Sequence, residues 1–345
     1  MKIAIDKTII DKIEKKEENE YLYIYDKEPL QNLLKTHCHC IHKDYIEEVD
    51  INLTKYDIDA LKATTIEEKN WDKIEKKEYK FAIIVPNYNN DHGIEKSFLR
   101  KCIESILNQT YKNFELIIID DMSTDTSIET IKSYIDDRIV LIQNSRKRFN
   151  GGSRNVGIEY ALKKDFDYIT FLDSDDWYKN EKVLQTINDR LENCDIMLLG
   201  LELLFPDKHT QIKYHEYHNY EDFFLSDNKV WCTAWSRVIK KDKIVFFPED
   251  TLMEDRTWSY EQADNIKDLS KVKNLKKVCY VWNRTNTTNS VSLVRGKLWE
   301  ASAWKHIGQQ YILLTKLKHK EMTPLLEERI EECKRKIKNK IYQQY

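Results

Sequence analysis

The sequence predicts an α/β fold in which a mostly parallel sheet is flanked by helices, with an N-terminal extension and a C-terminal helical region. Short apolar runs alternate with segments whose apolar residues recur at helical spacing, which is typical of strand–helix units. Acidic residues directly follow two of these runs, at the edge of the sheet where ligands bind. Only 7 glycines and 5 prolines occur in 345 residues, which argues against a loop-dominated or disordered chain.

Residues 1–78 are interpreted as an accessory region. They are rich in charge, and their one alternating apolar run, Tyr21–Tyr25, predicts a strand. The segment 66–80 has the composition of a solvated helix or linker, so we place a domain boundary there. The cluster His37–His42 is dense in zinc-binding side chains, but no second Cys/His cluster follows at finger spacing, so no zinc site is predicted.

The main domain is predicted to span residues 79–290, and its strands are read from apolar runs typical of strands buried on both faces. The runs are Phe81–Val85, Leu116–Ile119, Ile139–Ile142, Tyr168–Leu172 and Ile196–Leu199. The first run ends at Pro86, the second at Asp120-Asp121 and the fourth at Asp173. Val278–Trp282 is predicted as an edge strand near the end of the domain.

Helix signals lie between these strands. An apolar stripe covers Phe98–Leu107, Ser123–Thr126 supplies N-cap residues for a second helix, and Asn150–Ser153 opens a third. The predicted inner face of the second helix is Ile128, Ile131 and Ile135. In the C-terminal region, residues 291–345, an apolar stripe flanked by Lys and Arg predicts a packing helix. That stripe is Leu326, Ile330, Cys333, Ile337 and Ile341.

The strongest chemical signal is Asp173-Ser174-Asp175-Asp176, directly after an apolar run. Two carboxylates two residues apart at a strand end are able to converge on one divalent cation. Mg²⁺ and Mn²⁺ prefer such oxygen ligands and keep positions open for phosphate oxygens. The cation would neutralise a departing diphosphate. The alternative interpretation is an acidic turn that caps the next helix.

Two further segments point to the same edge of the sheet. Asp121 is placed to accept hydrogen bonds from a base or a ribose, or else simply forms a turn. In Asn150–Gly157, the glycines permit close approach of a ligand and Arg154 offers a planar cation for phosphate or base. The alternative there is a loop that leads into a helix. No Gly-Lys-Ser/Thr follows, so the segment is not a P-loop.

Taken together, these segments resemble glycosyltransferase family 2, with its GT-A fold. The segments that carry the resemblance stand in the family's order and are Ile84–Asn89, Cys102–Thr110, Glu115–Ser127, Gly152–Gly157, Asp173–Trp177 and Met253–Asp255. The resemblance implies a metal-dependent inverting enzyme, using Mn²⁺ or Mg²⁺, that transfers a sugar from a nucleotide-diphosphate donor, in most cases a UDP-sugar. The Gln-x-x-Arg-Trp motif of processive members is absent from the sequence, which indicates single addition.

The resemblance also implies roles for single residues on the donor side. That set is Pro86, Asn87, Tyr88, Asp121, Arg154, Asp173 and Arg284. The first three line the nucleoside pocket, and Asp121 contacts the base. Arg154 lies near the base or diphosphate, while Arg284 approaches the diphosphate. Asp173 lies near ribose and metal, and Asp175 binds the metal directly.

On the acceptor side, the resemblance assigns Asp255 as the catalytic base. An acceptor hydroxyl must lose its proton as it attacks the anomeric carbon, and a carboxylate opposite the leaving diphosphate is able to accept it. The alternative for Glu254-Asp255 is a surface acidic pair before a helix. Glu254, Trp235 and Trp258 are further acceptor-side candidates, although buried tryptophans are an equal possibility.

Composition limits the other function classes. The net charge of −3 gives no overall attraction to nucleic acid, which leaves a modified nucleobase acceptor disfavoured but not excluded. No run approaches the roughly 18 apolar residues of a membrane helix, and the N-terminus lacks the apolar region of a signal peptide. We therefore expect a cytoplasmic protein, with peripheral membrane association left open.

Two other enzyme classes with this kind of sheet lack their sequence signatures here. A nucleotidyltransferase needs a glycine-rich loop after the first strand, and a dehydrogenase needs G-x-G-x-x-G; the sequence has neither. A catalytically silent nucleotide-sugar-binding protein stays as the alternative, against which the intact Asp173, Asp175 and Asp255 argue. The acceptor is predicted only as a hydroxyl on a glycan, a lipid-linked sugar, a protein or a nucleobase.

Overall fold

The computed structural model describes residues 77–91, 97–146, 149–225, 233–285 and 297–339. Residues Glu78–Tyr345 form one compact unit. The predicted strand Tyr21–Tyr25 and the cluster His37–His42 lie outside the described residues. The boundaries predicted near residues 78 and 290 stay predictions.

Four parallel strands form the first half of the sheet, in the order β3-β2-β1-β4. They are β1 (Phe81–Asn87), β2 (Phe114–Asp120), β3 (Ile139–Gln143) and β4 (Tyr168–Phe171). Every residue of β1 and β4 is buried, which is why these strands appear in the sequence as unbroken apolar runs. The predicted strands and their order along the chain are confirmed, and so is the α/β fold class.

The second half of the sheet is mixed and continues the order as β4-β8-β6-β9-β5. Its strands are β5 (Trp177–Tyr178), β6 (Ile196–Leu204), β7 (Thr210–Lys213), β8 (Arg237–Lys240) and β9 (Val272–Asn283). β8 runs antiparallel to both β4 and β6, whereas β9 runs parallel to β6. The predicted edge strand Val278–Trp282 is therefore wrong in its extent and place: it belongs to β9, which lies between β6 and β5. The lysine-rich, partly exposed first half of β9 hid its beginning.

Eight α-helices are found in the described residues. They are α1 (Phe98–Leu107), α2 (Ser127–Lys132), α3 (Asn150–Leu162), α4 (Val183–Asn188), α5 (Tyr220–Leu225), α6 (Glu254–Asp264), α7 (Lys297–Lys316) and α8 (Thr323–Lys338). The prediction for the inner face of α2 is wrong at Ile135, because α2 ends at Lys132 and Ile135 is fully exposed. Ile131 is buried, as predicted.

The C-terminal helices pack against each other and against the sheet domain. Leu326, Ile330 and Ile337 of α8 are buried, which confirms the predicted stripe; Ile341 lies outside the described residues. Ala303 and Ile307 of α7 are packed with Ile330 and Ile337. In the part of the chain that the structure describes, no helix is both long and apolar enough to cross a membrane.

Close packing of α3 on β1 depends on Gly157. A Cβ atom at this position would lie 2.5 Å from Cγ2 of the buried Ile84. Gly157→Ala is therefore expected to lower the free energy of unfolding by about 1–3 kcal/mol, the usual cost of overpacking. Urea unfolding measures the change.

Gly308 in α7 provides the matched control for this prediction. No atom lies within 4 Å of a Cβ built there. Gly308→Ala should raise stability by up to about 1 kcal/mol through helix propensity alone. Equal effects of the two substitutions would contradict the packing argument.

Candidate active site

One buried arginine joins the predicted donor-side and acceptor-side acids. Arg154 lies in the first turns of α3 and is fully buried. Its Nη2 donates to Asp173 Oδ1 at 2.8 Å, and its Nη1 donates to Glu254 Oε1 and Asp255 Oδ1, both at 3.0 Å. The guanidinium therefore bridges the loop after β4 and the first two residues of α6.

Three carboxylates share this guanidinium, so negative charge exceeds positive charge in the cluster. Burial alone would lower the pKa of Arg154, but Asp255, Asp173 and Glu254 raise it, and the side chain stays charged. Burial raises the pKa of Asp255 to about 6, against the lowering effect of Arg154. Burial also raises the pKa of Glu254, with a further contribution from Asp255. Carboxyl groups with raised pKa values are typical of acid–base sites.

The two acids at the start of α6 differ in access. The side chain of Asp255 is 28% exposed, whereas that of Glu254 is 6% exposed. A substrate hydroxyl is therefore able to reach Asp255, while Glu254 is enclosed and serves to hold Arg154.

Glycine at position 151 allows the start of α6 and the residues before it to lie close to α3. A Cβ atom on Gly151 would lie 2.3 Å from the carbonyl oxygen of Pro248 and 3.3 Å from Cβ of Glu254. Glycine in this segment was predicted to permit close approach of a ligand. In the structure, Gly151 instead admits the protein's own backbone, just before the acid pair.

Asp121 organises the adjacent edge of the sheet. Its Oδ1 accepts from Asn144 Nδ2 at 2.7 Å and its Oδ2 accepts from the backbone N–H of Phe149 at 3.0 Å. Phe149 has φ 80°, an uncommon conformation for an aromatic residue. Asn144, which follows β3 as Asp121 follows β2, was missed in the sequence. Polar residues that directly follow parallel strands lie at the edge where ligands bind, and this rule would have identified Asn144.

The three residues predicted for the nucleoside pocket differ in exposure. Pro86 and Asn87 are buried at the end of β1, and Asn87 Nδ2 donates to Asp120 Oδ1 at 3.1 Å. Tyr88 is 45% exposed. The residue before it, Asn87, is bonded to Asp121, since the backbone N–H of Asp121 donates to the carbonyl oxygen of Asn87. The structure thus brings Tyr88 and Asp121 to the same edge, with Tyr88 as the accessible member.

The acidic loop after β4 is anchored by its last carboxylate. Asp176 is buried and accepts hydrogen bonds from the Tyr280 hydroxyl and from the backbone N–H of Asn283. The Tyr280 hydroxyl in turn accepts from the backbone N–H of Asp173 at 3.2 Å, and Asn283 Nδ2 donates to the carbonyl oxygen of Asp175 at 3.0 Å. β9 therefore fixes the backbone that presents Asp173 and Asp175. This contact was not predictable from the sequence, because it depends on the pairing of β9 with β5.

The geometry described above agrees with comparisons to known proteins. The family model named "Glycosyl transferase family 2" matches residues 82–245. Residues 82–245 are thus similar to the domain of family 2 glycosyltransferases. This match covers strands β1 to β8, Asp121, Arg154 and the acidic loop, but not β9 or Asp255, and it confirms the resemblance seen in the sequence.

Individual relatives match about a third of this chain. An uncharacterized glycosyltransferase of Haemophilus influenzae is 43% identical over 134 residues, which is 38% of this chain and 50% of the relative. The Escherichia coli protein WfgD, a UDP-Glc:alpha-D-GlcNAc-diphosphoundecaprenol beta-1,3-glucosyltransferase, is 37% identical over 128 residues, 37% of this chain and 47% of WfgD. The chain thus spans about half the length of these relatives.

A solved structure shows the fold of the glycosyltransferase domain. The crystal structure of S. aureus TarS 1-349 in complex with UDP-GlcNAc has a TM-score of 0.53 and 18% identity, and the match covers 67% of this chain and 66% of the TarS 1-349 chain. The likeness confirms the predicted GT-A fold.

The donor set in the acidic loop suits a hard divalent cation that is completed by substrate. Asp173 and Asp175 offer carboxylate oxygens, the ligands that Mg²⁺ and Mn²⁺ prefer. Within the described ranges, no group of three or more His, Cys, Asp or Glu side chains is placed to hold a metal ion. A cation at this loop would be held by these two aspartates, with phosphate oxygens of the substrate among its other ligands.

The two candidate tryptophans belong to the core of the glycosyltransferase domain. Trp258 is fully buried, stacks on Phe247 at 4.4 Å, and donates from Nε1 to the carbonyl oxygen of Val245. Trp235 is 3% exposed and stacks on Tyr280 at 4.4 Å. The prediction that these rings stack on an acceptor sugar is corrected, because neither ring presents an open face.

Arg284 is exposed at the end of β9, on the same side as the acidic loop. Its guanidinium lies 5.0 Å from the ring centroid of Trp282 and 5.5 Å from that of Phe205. The preceding residue, Asn283, bonds to the carbonyl oxygen of Asp175. The predicted diphosphate contact of Arg284 stays a prediction, consistent with this position.

Proposed function

We propose that the protein is a metal-dependent, inverting glycosyltransferase that adds a single sugar from a UDP-sugar to an acceptor hydroxyl. One observation carries the proposal. The guanidinium of Arg154 binds two acids at once. One is Asp173, which follows β4 on the donor side, and the other is Asp255, the accessible acid of α6. Donor-binding and proton-accepting groups thus lie at adjacent positions around a fixed centre.

The donor is proposed to lie along the carboxyl edge of β1, β2 and β4. Tyr88 is accessible beside the pocket for the base, and Asp121 retains lone pairs for hydrogen bonds to uracil. UDP-GlcNAc in TarS and the UDP-Glc specificity in the name of WfgD support a UDP-sugar.

The metal is proposed to bind at Asp175, with Asp173 beside it. When bound, it would neutralise charge on the diphosphate as that group leaves. Two aspartates with incomplete coordination suit this role, because the substrate's phosphate oxygens then complete the site.

Asp255 is proposed as the general base. The acceptor oxygen attacks the anomeric carbon, a carbon–oxygen bond forms, and the bond to the diphosphate oxygen breaks with its electron pair on the diphosphate. The acceptor proton moves to the Asp255 carboxylate. Attack opposite the leaving group inverts the anomeric centre, and the beta-linkage in the name of WfgD supports this stereochemistry.

The acceptor is proposed to be a lipid-linked sugar diphosphate. WfgD is named for an undecaprenol-diphosphate acceptor, as is its E. coli counterpart WfaP, which is 38% identical over 107 residues. Turnover of UDP-Glc and UDP-GlcNAc with a synthetic lipid-diphosphate GlcNAc acceptor tests the proposal. UDP binding with no turnover of any donor would instead support a silent binding protein.

Asp175→Ala is expected to abolish Mn²⁺-dependent UDP binding. The reason is that the variant removes the proposed direct ligand while Asp176 still anchors the loop through Tyr280 and Asn283. Isothermal titration with UDP, with and without Mn²⁺, measures the effect. Unchanged affinity in Mn²⁺, in a variant that unfolds at the normal temperature, would rule out Asp175 as the ligand.

A further inference from the structure

Two aromatic rings hold the guanidinium of Arg284 at the end of β9. The guanidinium carbon lies over the ring of Phe205, 5.5 Å from its centroid, and over the ring of Trp282, 5.0 Å from its centroid. Both distances are within the range of cation–π attraction, and a planar guanidinium stacks well on a ring. The backbone N–H of Arg284 also donates to the carbonyl oxygen of Leu204 at 2.9 Å. Together Phe205 and Trp282 form an aromatic clamp around this exposed side chain.

Each ring of the aromatic clamp is itself fixed by neighbours. Phe205 stacks on His209 with 4.2 Å between centroids, and its backbone N–H donates to the carbonyl oxygen of His209 at 3.1 Å, which closes the turn between β6 and β7. Trp282 packs on the buried Trp235 at 5.4 Å, and Trp235 stacks on Tyr280 at 4.4 Å. Tyr280 is the residue that anchors the acidic loop, so the clamp is continuous with the part of β9 that supports the proposed metal site.

The charge of Arg284 has no acidic partner among the residues that the structure describes. Arg138, Arg146 and Arg154 also lie over aromatic rings, but each of them pairs with at least one carboxylate. A guanidinium that is oriented by rings, and not by an acid, keeps its positive charge available to an oxyanion. Its planar set of N–H groups matches the oxygens of a phosphate group.

Arg284 lies next to the loop that is proposed to hold the metal. Asn283, the residue before it, donates from Nδ2 to the carbonyl oxygen of Asp175 at 3.0 Å and from its backbone N–H to Asp176 Oδ1 at 2.7 Å. A nucleotide diphosphate carries several negative charges, and sites that stabilise such a leaving group combine metal ions with Arg or Lys. The cation held by the aromatic clamp is placed to supply the second positive charge.

We propose that Phe205 and Trp282 are positioning residues that hold Arg284 for contact with the diphosphate of the nucleotide sugar, so that the β6–β7 turn is part of the donor site. The inference rests on the proposed function, because it takes the nucleotide diphosphate as the ligand. A long, exposed arginine loses conformational entropy when it binds a phosphate group, and a side chain that is already restricted by two rings loses less.

Calorimetric titration of the full chain with UDP in Mn²⁺ tests this inference. Phe205→Leu keeps an apolar side chain but has no aromatic face, so it should weaken UDP binding roughly threefold to tenfold, the effect of losing one cation–π contact. Phe205→Tyr keeps the face and should bind UDP as the wild type does. Tyr220→Leu in α5 is the matched control, because Tyr220 also packs on a histidine, His319, and this variant should leave UDP affinity unchanged.

A double-mutant cycle distinguishes positioning of Arg284 from a general structural role of Phe205. Arg284→Met should weaken UDP binding about tenfold or more, since a charge-assisted contact to phosphate is lost. Phe205→Leu should then add little in the Arg284→Met background, because the ring acts through the guanidinium.

Three results would overturn the inference while the proposed donor stands. They are a wild-type affinity for UDP in Phe205→Leu, a wild-type affinity in Arg284→Met, and additive losses in the double variant. If the wild-type chain itself binds no UDP in Mn²⁺, the proposed function fails and the inference fails with it.

Discussion

Asp255→Asn is expected to lower turnover by about 100- to 10,000-fold, the usual contribution of general-base catalysis. The amide keeps the shape of the side chain and an oxygen that accepts from Arg154, but it cannot take a proton from the acceptor. Binding of UDP, measured by calorimetry, should change little because Asp255 lies on the acceptor side.

Glu254→Gln is the matched control. Glu254 is enclosed and also accepts from Arg154, so its amide variant should retain far more activity than Asp255→Asn. A larger loss at Glu254, or a near-normal rate for Asp255→Asn, would contradict the assignment of the base.

The pH profile of kcat/KM gives a second measure of the same group. The pKa of Asp255 is raised to about 6 by burial, and the base must be ionised to act. Activity should therefore be full above this pH and fall about tenfold per pH unit below it. Asp255→Asn should lose this acidic limb, since the titrating group is gone.

Arg154→Met is expected to reduce the free energy of unfolding at neutral pH by about 3–5 kcal/mol. Removal of one partner from a buried ionic group leaves the remaining charges uncompensated. Without Arg154, which lowers the pKa values of Glu254 and Asp255, the pKa values of these two acids in the folded state rise further above the unfolded values. The destabilisation should be largest at neutral and alkaline pH and should shrink as acid protonates the carboxylates.

Arg146→Met is the matched control for that measurement. Arg146 also pairs with two acids, Glu159 and Glu249, but its side chain is 33% exposed. Surface pairs contribute about 0–1 kcal/mol, so this variant should unfold almost as the wild type does. If urea unfolding shows that both arginine variants lose the same free energy of unfolding, burial of the Arg154 cluster does not determine its contribution to stability.

The parallel half of the sheet was predictable because its strands are buried on both faces. β1 and β2 therefore appear as unbroken apolar runs, and their ends place Asp121 at the ligand edge. β9 was recognised only in part, because its first six residues include three lysines and only two apolar residues, and because its position depends on pairing with β6. The local apolar pattern also predicted that α2 extends to Ile135, but the helix ends at Lys132.

The site residues were predictable by type but not by contact. Family-like motifs identified Asp173, Arg154 and Asp255, yet nothing in the sequence shows that one guanidinium binds both aspartates across about 100 residues, from position 154 to position 255. The anchoring of Asp176 by Tyr280 likewise arises only when β9 joins the sheet. The sequence also does not show which tryptophan side chains are exposed. For this reason Trp258 was predicted on the acceptor side, although it lies in the core.

The anomeric configuration of the product tests the central claim most directly. With an α-linked UDP-sugar and a lipid-diphosphate acceptor, NMR of the product of the wild-type enzyme should show a β linkage, and Asp255→Asn should form almost none of it. A product with a retained α linkage would contradict in-line attack assisted by Asp255.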